Sequence, residues 1–368
     1  MKVVFWVCLL LIGYAYAGYA ILLAIQARLR RRPILRKAAE LSVSVIIAAK
    51  NEQNNLPTKL ADLRKLNYPQ ELLQIVVASD GSTDRTVEIL EKTAGVVPVV
   101  LKQSGGKALA LNAAVARASG EILVFMDVRQ KVDPEAVRKL VACFADPSVG
   151  AVSGELLLES MPGSSSSESL GVYWKLEKLV RKLESESGSV VGVTGAIYAL
   201  RRDLFVALPV GTILDDVFVP MQVIRAGKRV VFEPAAVAHD RVFEQKGKEF
   251  ARKVRTLTGN YQLLRLEPWL LTARNPLLFR LISHKLLRLL VPMLLLMMLA
   301  ASGLASGAFY KIVFLLQGLF YCLAAAGRFR PRSKQWRVVS IANTFVMLNI
   351  AASVAFYNFV TRRDNVWV

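Results

Sequence analysis

From Ser42 onward, short apolar runs alternate with stretches of helical periodicity. Val43-Ser44-Val45-Ile46-Ile47-Ala48 predicts a strand, and Asn51-Glu52 opens a helix reaching Leu66. Ile75-Val76-Val77-Ala78-Ser79 predicts a second strand, closed by Asp80-Gly81-Ser82, with Thr83 or Asp84 capping the next helix. Val96 to Leu101 is a third. Gly105-Gly106-Lys107 starts an Ala-rich helix ending near Ser119, and Glu121 to Met126 is a fourth strand. Asp133-Pro134 begins another helix, and Val149 to Leu158 another strand. Strands and helices alternating at this spacing predict a doubly wound, Rossmann-like α/β domain with a mostly parallel sheet and right-handed crossovers.

The ends of the chain follow a different pattern. Val3 to Ile25 is apolar and uncharged, long enough to cross a bilayer as a helix. Ala15-Tyr16-Ala17 has the form of a signal-peptide cleavage site, but the apolar stretch continues past it. Arg28, Arg30, Arg31, Arg32, Arg36 and Lys37 then follow as a stop-transfer flank, which predicts a retained anchor over 1–27. Residues 266–288 mix apolar side chains with Arg274, Arg280, His284, Lys285 and Arg288, a composition suited to helices lying in the interface. Three more spans are expected within 286–360, at about 286–305, 308–326 and 338–360. Arg328, Arg330, Arg332, Lys334 and Arg337 mark the connection between the last two as cytoplasmic. The expected protein is integral to the inner (plasma) membrane. Its catalytic domain is cytoplasmic and both termini lie outside, which leaves Arg362 and Arg363 on the less favoured side.

Composition narrows this further. The 368 residues are 54% hydrophobic with a formal charge of +20. That is too apolar for one soluble domain and too charged for a pure membrane bundle. The basic residues cluster beside apolar segments, which points to anionic lipid and phosphorylated substrates; no aromatic-basic motif supports nucleic acid. Cys8, Cys143 and Cys322 have neither metal-like nor paired spacing, so no disulfide framework is implied.

Each strand ends in polar groups on one sheet edge: Asn51-Glu52, Asp80 and Asp127. Ligands of open α/β sheets sit beyond the carboxyl ends of the strands, so this is a nucleotide-sized constellation. Gly105 and Gly106 allow close backbone approach, and Lys107 supplies a point charge for a phosphate. Neither a Walker sequence nor a Gly-x-Gly-x-x-Gly fingerprint is present, which removes the ATPase and dehydrogenase readings.

Ser44 to Glu52, Ala78 to Thr86, Gly106 to Asn112 and Gly120 to Asp127, in this order, resemble the family 2 inverting glycosyltransferases of GT-A fold. The resemblance covers about Leu41 to Gln262 and implies a GT-A domain over 41–262. It implies that Ala49, Asn51, Glu52 and Asp80 hold the nucleotide of an NDP-sugar, UDP-sugar favoured. Lys107 would then approach the phosphates, and Asp127 would be the first acid of the family's Asp-x-Asp. The second acid, usually a ligand of Mg2+ or Mn2+, is Arg129 here. Its guanidinium could carry part of the metal's charge on the diphosphate; alternatively a metal sits on Asp127 with help from His239.

The same resemblance places Thr194 and Gly195 on the acceptor side. It also aligns Asp215-Asp216 with the family's Glu-Asp pair, making Asp216 the base and Asp215 its orienting neighbour. An inverting transfer needs such a carboxylate to take the acceptor's proton. Gly/Ser-rich residues Met161 to Ser169 read as a flexible loop. The stripe Leu170, Tyr173, Trp174, Leu176, Leu179, Val180 and Leu183 reads as core-facing, although Trp174 could stack on an acceptor sugar. Arg252 and Arg255 occupy two positions of the family's Gln-x-x-Arg-Trp and share a helix face suited to a leaving diphosphate. Thr256 stands where Trp is usual, so processive synthesis does not carry over. The layout resembles synthases of extracellular polysaccharides and chito-oligosaccharides, and also ceramide glucosyltransferases. The acceptor is accordingly a growing glycan of an extracellular polysaccharide or, alternatively, a lipid of ceramide or polyprenyl-phosphate type that receives a single sugar. A rival of another class is an inactive sugar-nucleotide-binding subunit of an assembly complex, resting on Arg129 and Thr256.

Overall fold

The run Val43–Ala49 forms β1, whose side chains are buried on both faces of an eight-stranded sheet. A computed structural model describes residues 1–159, 165–241, 246–328 and 337–362. The sheet order is β3-β2-β1-β4-β7-β6-β8-β5. β1, β2 (Leu73–Asp80), β3 (Val96–Leu101) and β4 (Ile122–Met126) are mutually parallel neighbours, as the apolar runs predicted. The chain steps outward from β1 to β3 and then returns to the other side of β1 with β4. This switch point opens a crevice at the carboxyl ends of β1 and β4.

The second half of the sheet is mixed. β7 (Ile197–Arg201) runs antiparallel to β4 and to β6 (Val149–Glu159). β8 (Arg229–Arg241) runs parallel to β6, and β5 (Lys131–Val132) pairs antiparallel with β8. β5 and β8 were not expected from the sequence, where Pro234 interrupts the apolar run; the β6–β8 register shifts near that point.

Side chains alternate between two cores. Ile46, Leu123 and Phe125 join Leu111, Tyr198 and Phe218 on one face, whereas Val45, Ile47 and Val124 join Leu60, Leu90 and Leu140 on the other. Each such fully buried side chain contributes about 1.5–3 kcal/mol. Helix boundaries are tighter than the sequence suggested. Asn51 adopts φ 54, so the helix after β1 spans only Leu56–Leu63. Asp84 does brace the helix Thr86–Lys92, accepting from the Thr86 N–H at 2.9 Å.

Among the described residues, four helices are long and apolar enough to cross a membrane: Lys2–Leu29, Leu278–Leu304, Ala308–Gly327 and Val338–Val360. Arg330, Arg332, Lys334 and Arg363 lie outside the described residues, as do residues 160–164 of the expected Gly/Ser loop. The helix Ser165–Glu186 begins inside that loop. Its apolar stripe does not face the sheet: Val180, with Leu176 and Leu183, packs on Tyr19 and Leu23 of the first membrane helix.

Residues 266–288 also differ from the surface helices expected. After a 3₁₀ turn at Pro268–Leu271, the segment from Leu278 continues into the membrane helix. Arg280 and His284 are buried because they have partners inside the protein. Arg280 donates to the carbonyls of Glu184 (2.6 Å) and Ser189 (2.7 Å), and His284 Nδ1 lies 2.9 Å from Glu184 Oε1, which also accepts from the Tyr19 hydroxyl at 2.6 Å.

Gly81, directly after β2, has φ +60, and a Cβ there would lie 2.4 Å from the Ser104 backbone nitrogen. Gly81→Ala is therefore expected to destabilise the domain by about 1–3 kcal/mol, through overpacking and left-handed strain. Thermal unfolding of the detergent-solubilised protein checks this, and an unchanged melting temperature contradicts it.

Candidate active site

The strand ends at the switch point carry the site. Asp80 closes β2 and is 1% exposed. Its carboxylate accepts from the N–H of Gly105 (2.7 Å), the N–H of Gly106 (3.0 Å) and the Ser104 hydroxyl (2.8 Å). The expected nucleotide ligand thus spends its oxygens bracing the Gly-Gly loop, at the edge of the cavity rather than as an open acceptor. Gly106, at φ 90, leads into the helix Lys107–Val115 and sets the direction of Lys107.

Asn51 and Glu52 are knitted to the turn after β2. The Asn51 N–H donates to Ser82 Oγ (3.1 Å), Asn51 Oδ1 accepts from the Thr83 N–H (2.9 Å), and the Glu52 N–H donates to Thr86 Oγ1 (2.8 Å). Together with Ala49, Asp80, Lys107, Asp127, Arg129 and Arg255 they line a cavity of about 510 Å³ over the ends of β1 and β4. A second cavity, about 360 Å³, shares Lys107, Asp127, Arg129 and Arg255 with it. Trp174, Thr194, Gly195, Asp215, Asp216 and Arg252 line the second one.

Lys107 stands where the two meet. Its Nζ lies 3.1 Å from Asp127 Oδ1 and 3.3 Å from Asp215 Oδ2. Burial acts to neutralise this ammonium, but Asp127 and Asp215 outweigh it and hold its pKa above the ordinary value. Asp215 and Asp216 form the first turn of the helix Asp215–Arg225. Asp216 also fixes the facing segment, since its carbonyl accepts from the Val193 N–H at 2.9 Å. Burial and the neighbouring Asp215 push the Asp216 carboxyl up to about 6, partly opposed by Lys107, Lys285 and Arg181. A Cβ on Gly195 would lie 3.7 Å from Asp216 Oδ2 and 4.0 Å from Lys107 Nζ, so that glycine borders the acid and the ammonium together.

Arg129 is ion-paired with Asp240 of β8, and Gln130 Nε2 donates to the same carboxylate at 3.2 Å. His239, beside Asp240, faces elsewhere: its Nε2 lies 3.1 Å from Asp133 Oδ1, and it lines neither cavity. The structure therefore does not bring His239 to Asp127, because neighbouring residues of a strand point to opposite faces. Among the described residues, no group of three or more His, Cys, Asp or Glu is gathered to hold a metal ion. Asp127 is the carboxylate lining both cavities, so an ion here would have one protein carboxylate and depend on substrate phosphates for the rest.

Sequence reasoning missed several residues of this cleft. Glu177, Arg181, Lys285 and Asp240 all line it. Asp240 was signalled only by its place next to His239, Lys285 was read as a charge of the interfacial segment 266–288, and Glu177 and Arg181 drew no notice beside the apolar stripe of their helix. Trp174 lies under Lys253, whose Nζ is 5.6 Å from the ring centroid.

Residues 44–208 match the family described as Glycosyl transferase family 2. Poly-beta-1,6-N-acetyl-D-glucosamine synthases from Staphylococcus aureus and Staphylococcus epidermidis are both 24% identical to the chain. The first match covers 65% of the chain and 60% of the relative, the second 62% and 56%; the chain thus spans somewhat over half the length of these relatives. A solved structure of similar fold is the mannosyltransferase PcManGT from Pyrobaculum calidifontis, in complex with GDP-Man and Mn2+. Its TM-score is 0.73 at 21% identity, covering 97% of this chain and 99% of that one. Three strand-end motifs and the Gly-Gly-Lys turn at one switch point, a family match and a shared fold agree: residues 44–208 form a glycosyl transferase family 2 domain on the GT-A fold.

Proposed function

We propose that this chain is an inverting membrane glycosyltransferase that moves a sugar from a cytosolic NDP-sugar to a membrane-associated acceptor. The observation that carries this reading is the position of Lys107, between Asp127 of the donor cavity and Asp215 of the acceptor cavity. In this reading the nucleotide lies against Ala49, Asn51 and Glu52, with Asp80 holding the loop that presents Lys107. Asp216 takes the proton of the acceptor hydroxyl as that oxygen attacks the anomeric carbon from the face opposite the diphosphate. The bond from the anomeric carbon to the β-phosphate oxygen breaks, and its electron pair leaves with the diphosphate. Lys107, Arg129, Arg252 and Arg255 supply positive charge where that negative charge develops.

Mg2+ or Mn2+ is proposed on Asp127, completed by the diphosphate, where it would act as a Lewis acid on the phosphate oxygens. PcManGT, of the same fold, was solved in complex with GDP-Man and Mn2+, which supports a divalent ion here. The likeness to poly-beta-1,6-N-acetyl-D-glucosamine synthases supports a role in polysaccharide synthesis, and within this reading the favoured donor is a UDP-sugar and the product extracellular. The proposed topology keeps the domain cytoplasmic and both termini outside, with Arg28 to Lys37 at the inner leaflet.

Asp216→Asn is expected to lower kcat by about 10²–10⁴-fold with donor binding retained. Full turnover in that variant would remove Asp216 as base. Because the base must be unprotonated and its carboxyl is pushed up to about 6, turnover of the wild type should fall as pH drops through that value. An acid limb that persists unchanged in Asp216→Asn would assign it to another group. Chelation with EDTA should reduce turnover by about tenfold or more, with Mn2+ or Mg2+ restoring it. Undiminished activity in EDTA would leave the diphosphate to the protein's cations alone.

A further inference from the structure

β7 ends at Arg201, and after the 3₁₀ turn Arg202–Leu204 the chain runs from Phe205 to Leu214 without regular structure before the helix that begins with Asp215. A segment with no ladder of its own would place the two acids loosely. Two amide side chains hold it. The Leu208 N–H donates to Asn112 Oδ1 and Asn112 Nδ2 donates to the Leu208 carbonyl, each at 2.9 Å. Further along, the Ile213 N–H donates to Gln262 Oε1 and Gln262 Nε2 donates to the Gly211 carbonyl, again each at 2.9 Å. Between these clamps the Thr212 N–H donates to the Pro209 carbonyl at 3.2 Å, closing a turn in which Gly211 takes φ +79.

The place of Gln262 in its helix gives this clamp a meaning. The helix Lys246–Leu266 carries Arg252, Arg255, Gly259 and Gln262 at intervals of three, four and three, which puts all four on one face. Arg252 and Arg255, at one end of that face, line the cleft with Asp216. The other end meets the segment that precedes the acids. A Cβ on Gly259 would lie 2.6 Å from Leu214 Cγ and 2.9 Å from Ile213 Cγ2, so only glycine lets the helix come this close. Gln262 is buried and lines neither the donor nor the acceptor cavity. Tyr261, its neighbour, stacks on Phe359 of the last membrane helix with ring centroids 5.2 Å apart, which steadies the helix in its rotation.

We propose that Gln262 is a positioning residue for the transfer, setting Asp216 in register with the arginines that receive the leaving diphosphate. This rests on the transferase reading above and adds to it a residue that touches neither substrate. Inversion needs the attacking oxygen and the departing diphosphate on opposite sides of the anomeric carbon. The base and the leaving-group cations must therefore keep a fixed separation, and a misplacement of about 1 Å can cost about 10²-fold in rate. A single helix face provides that fixed separation, since Arg255 and Gln262 stand about 10 Å apart along its axis. An apolar side chain of the same size at 262 would leave the Ile213 N–H without this acceptor and let the segment before Asp215 shift.

Turnover is read as nucleoside diphosphate released from UDP-GlcNAc or GDP-mannose by the full chain in detergent, with a membrane extract as the source of acceptor. Donor binding is read separately as a shift in melting temperature. Gln262→Met is expected to lower kcat about tenfold or more, with the donor KM and the donor-induced shift unchanged. Added to Asp216→Asn, the same substitution should cost less than about twofold, because the group it positions no longer acts; a merely structural lesion would multiply in full. Gly259→Ala, which presses on Leu214 and Ile213, should repeat both results and carries the test if Gln262→Met does not fold. Unchanged kcat, a loss confined to the donor KM, or a loss that multiplies in full on Asp216→Asn overturns this inference alone. Undiminished turnover in Asp216→Asn, or no melting shift with either nucleotide sugar, overturns the transferase reading as well.

Discussion

The half-buried ammonium of Lys107 is the contact on which the cleft depends. It stands between Asp127 and Asp215, with Asp216 close enough to contribute to its stabilisation. Taking one charge out of water costs several kcal/mol, and three carboxylates without a cation would repel one another. Together they offset both costs. The same contact ties the end of β4 to the first turn of the helix Asp215–Arg225, two elements far apart in sequence. It leaves the two acids of that turn unequal: Asp215 faces the ammonium, while Asp216 keeps a carboxyl pushed up to about 6. Different environments for adjacent carboxylates separate their roles.

A second constraint joins this domain to the membrane. Glu184, fully buried, receives the Tyr19 hydroxyl from the first membrane helix and faces His284 from the second, while Arg280 binds its carbonyl. Breaking any one of these would leave a buried charge or donor unsatisfied. The cleft is tied to these apolar helices by side chains rather than by a linker, and the cavity lined by Asp216 lies next to them. Under the proposed function, this arrangement lets a soluble nucleotide sugar and a membrane-borne acceptor meet without either leaving its own phase.

The parallel half of the fold was legible because its signals are local. β1, β2 and β4 are apolar runs with largely buried side chains, and each leads into the polar residue that the crevice uses, whereas the edge strand β3 is half-exposed and supplies none. Asp84 and Lys107 were likewise readable as turn and helix-start residues. Asp80 is recognisable in the sequence as a strand-end acid, but the loop it braces is not, since only folding brings Ser104, Gly105 and Gly106 to its oxygens. His239 and Asp240 illustrate the opposite error. The histidine drew notice for its chemistry, yet the alternation of β8 turns it to Asp133 and gives the cleft to Asp240, the partner of Arg129.

By itself the sequence determined what is written in neighbouring residues: the spans, the parallel strands, the glycine turn and the identity of the acids and cations available. Only the tertiary structure decided which of those charges face one another. Glu177, Arg181, Lys285 and Arg288 look like solvated helix charges until two helices pack together, and the stripe of Leu176, Val180 and Leu183 looks like ordinary core until Tyr19 and Leu23 cover it. The reason is physical. Periodicity records that a side chain is buried or exposed, but its energy in either state depends on partners contributed from distant parts of the chain, and no local pattern encodes those.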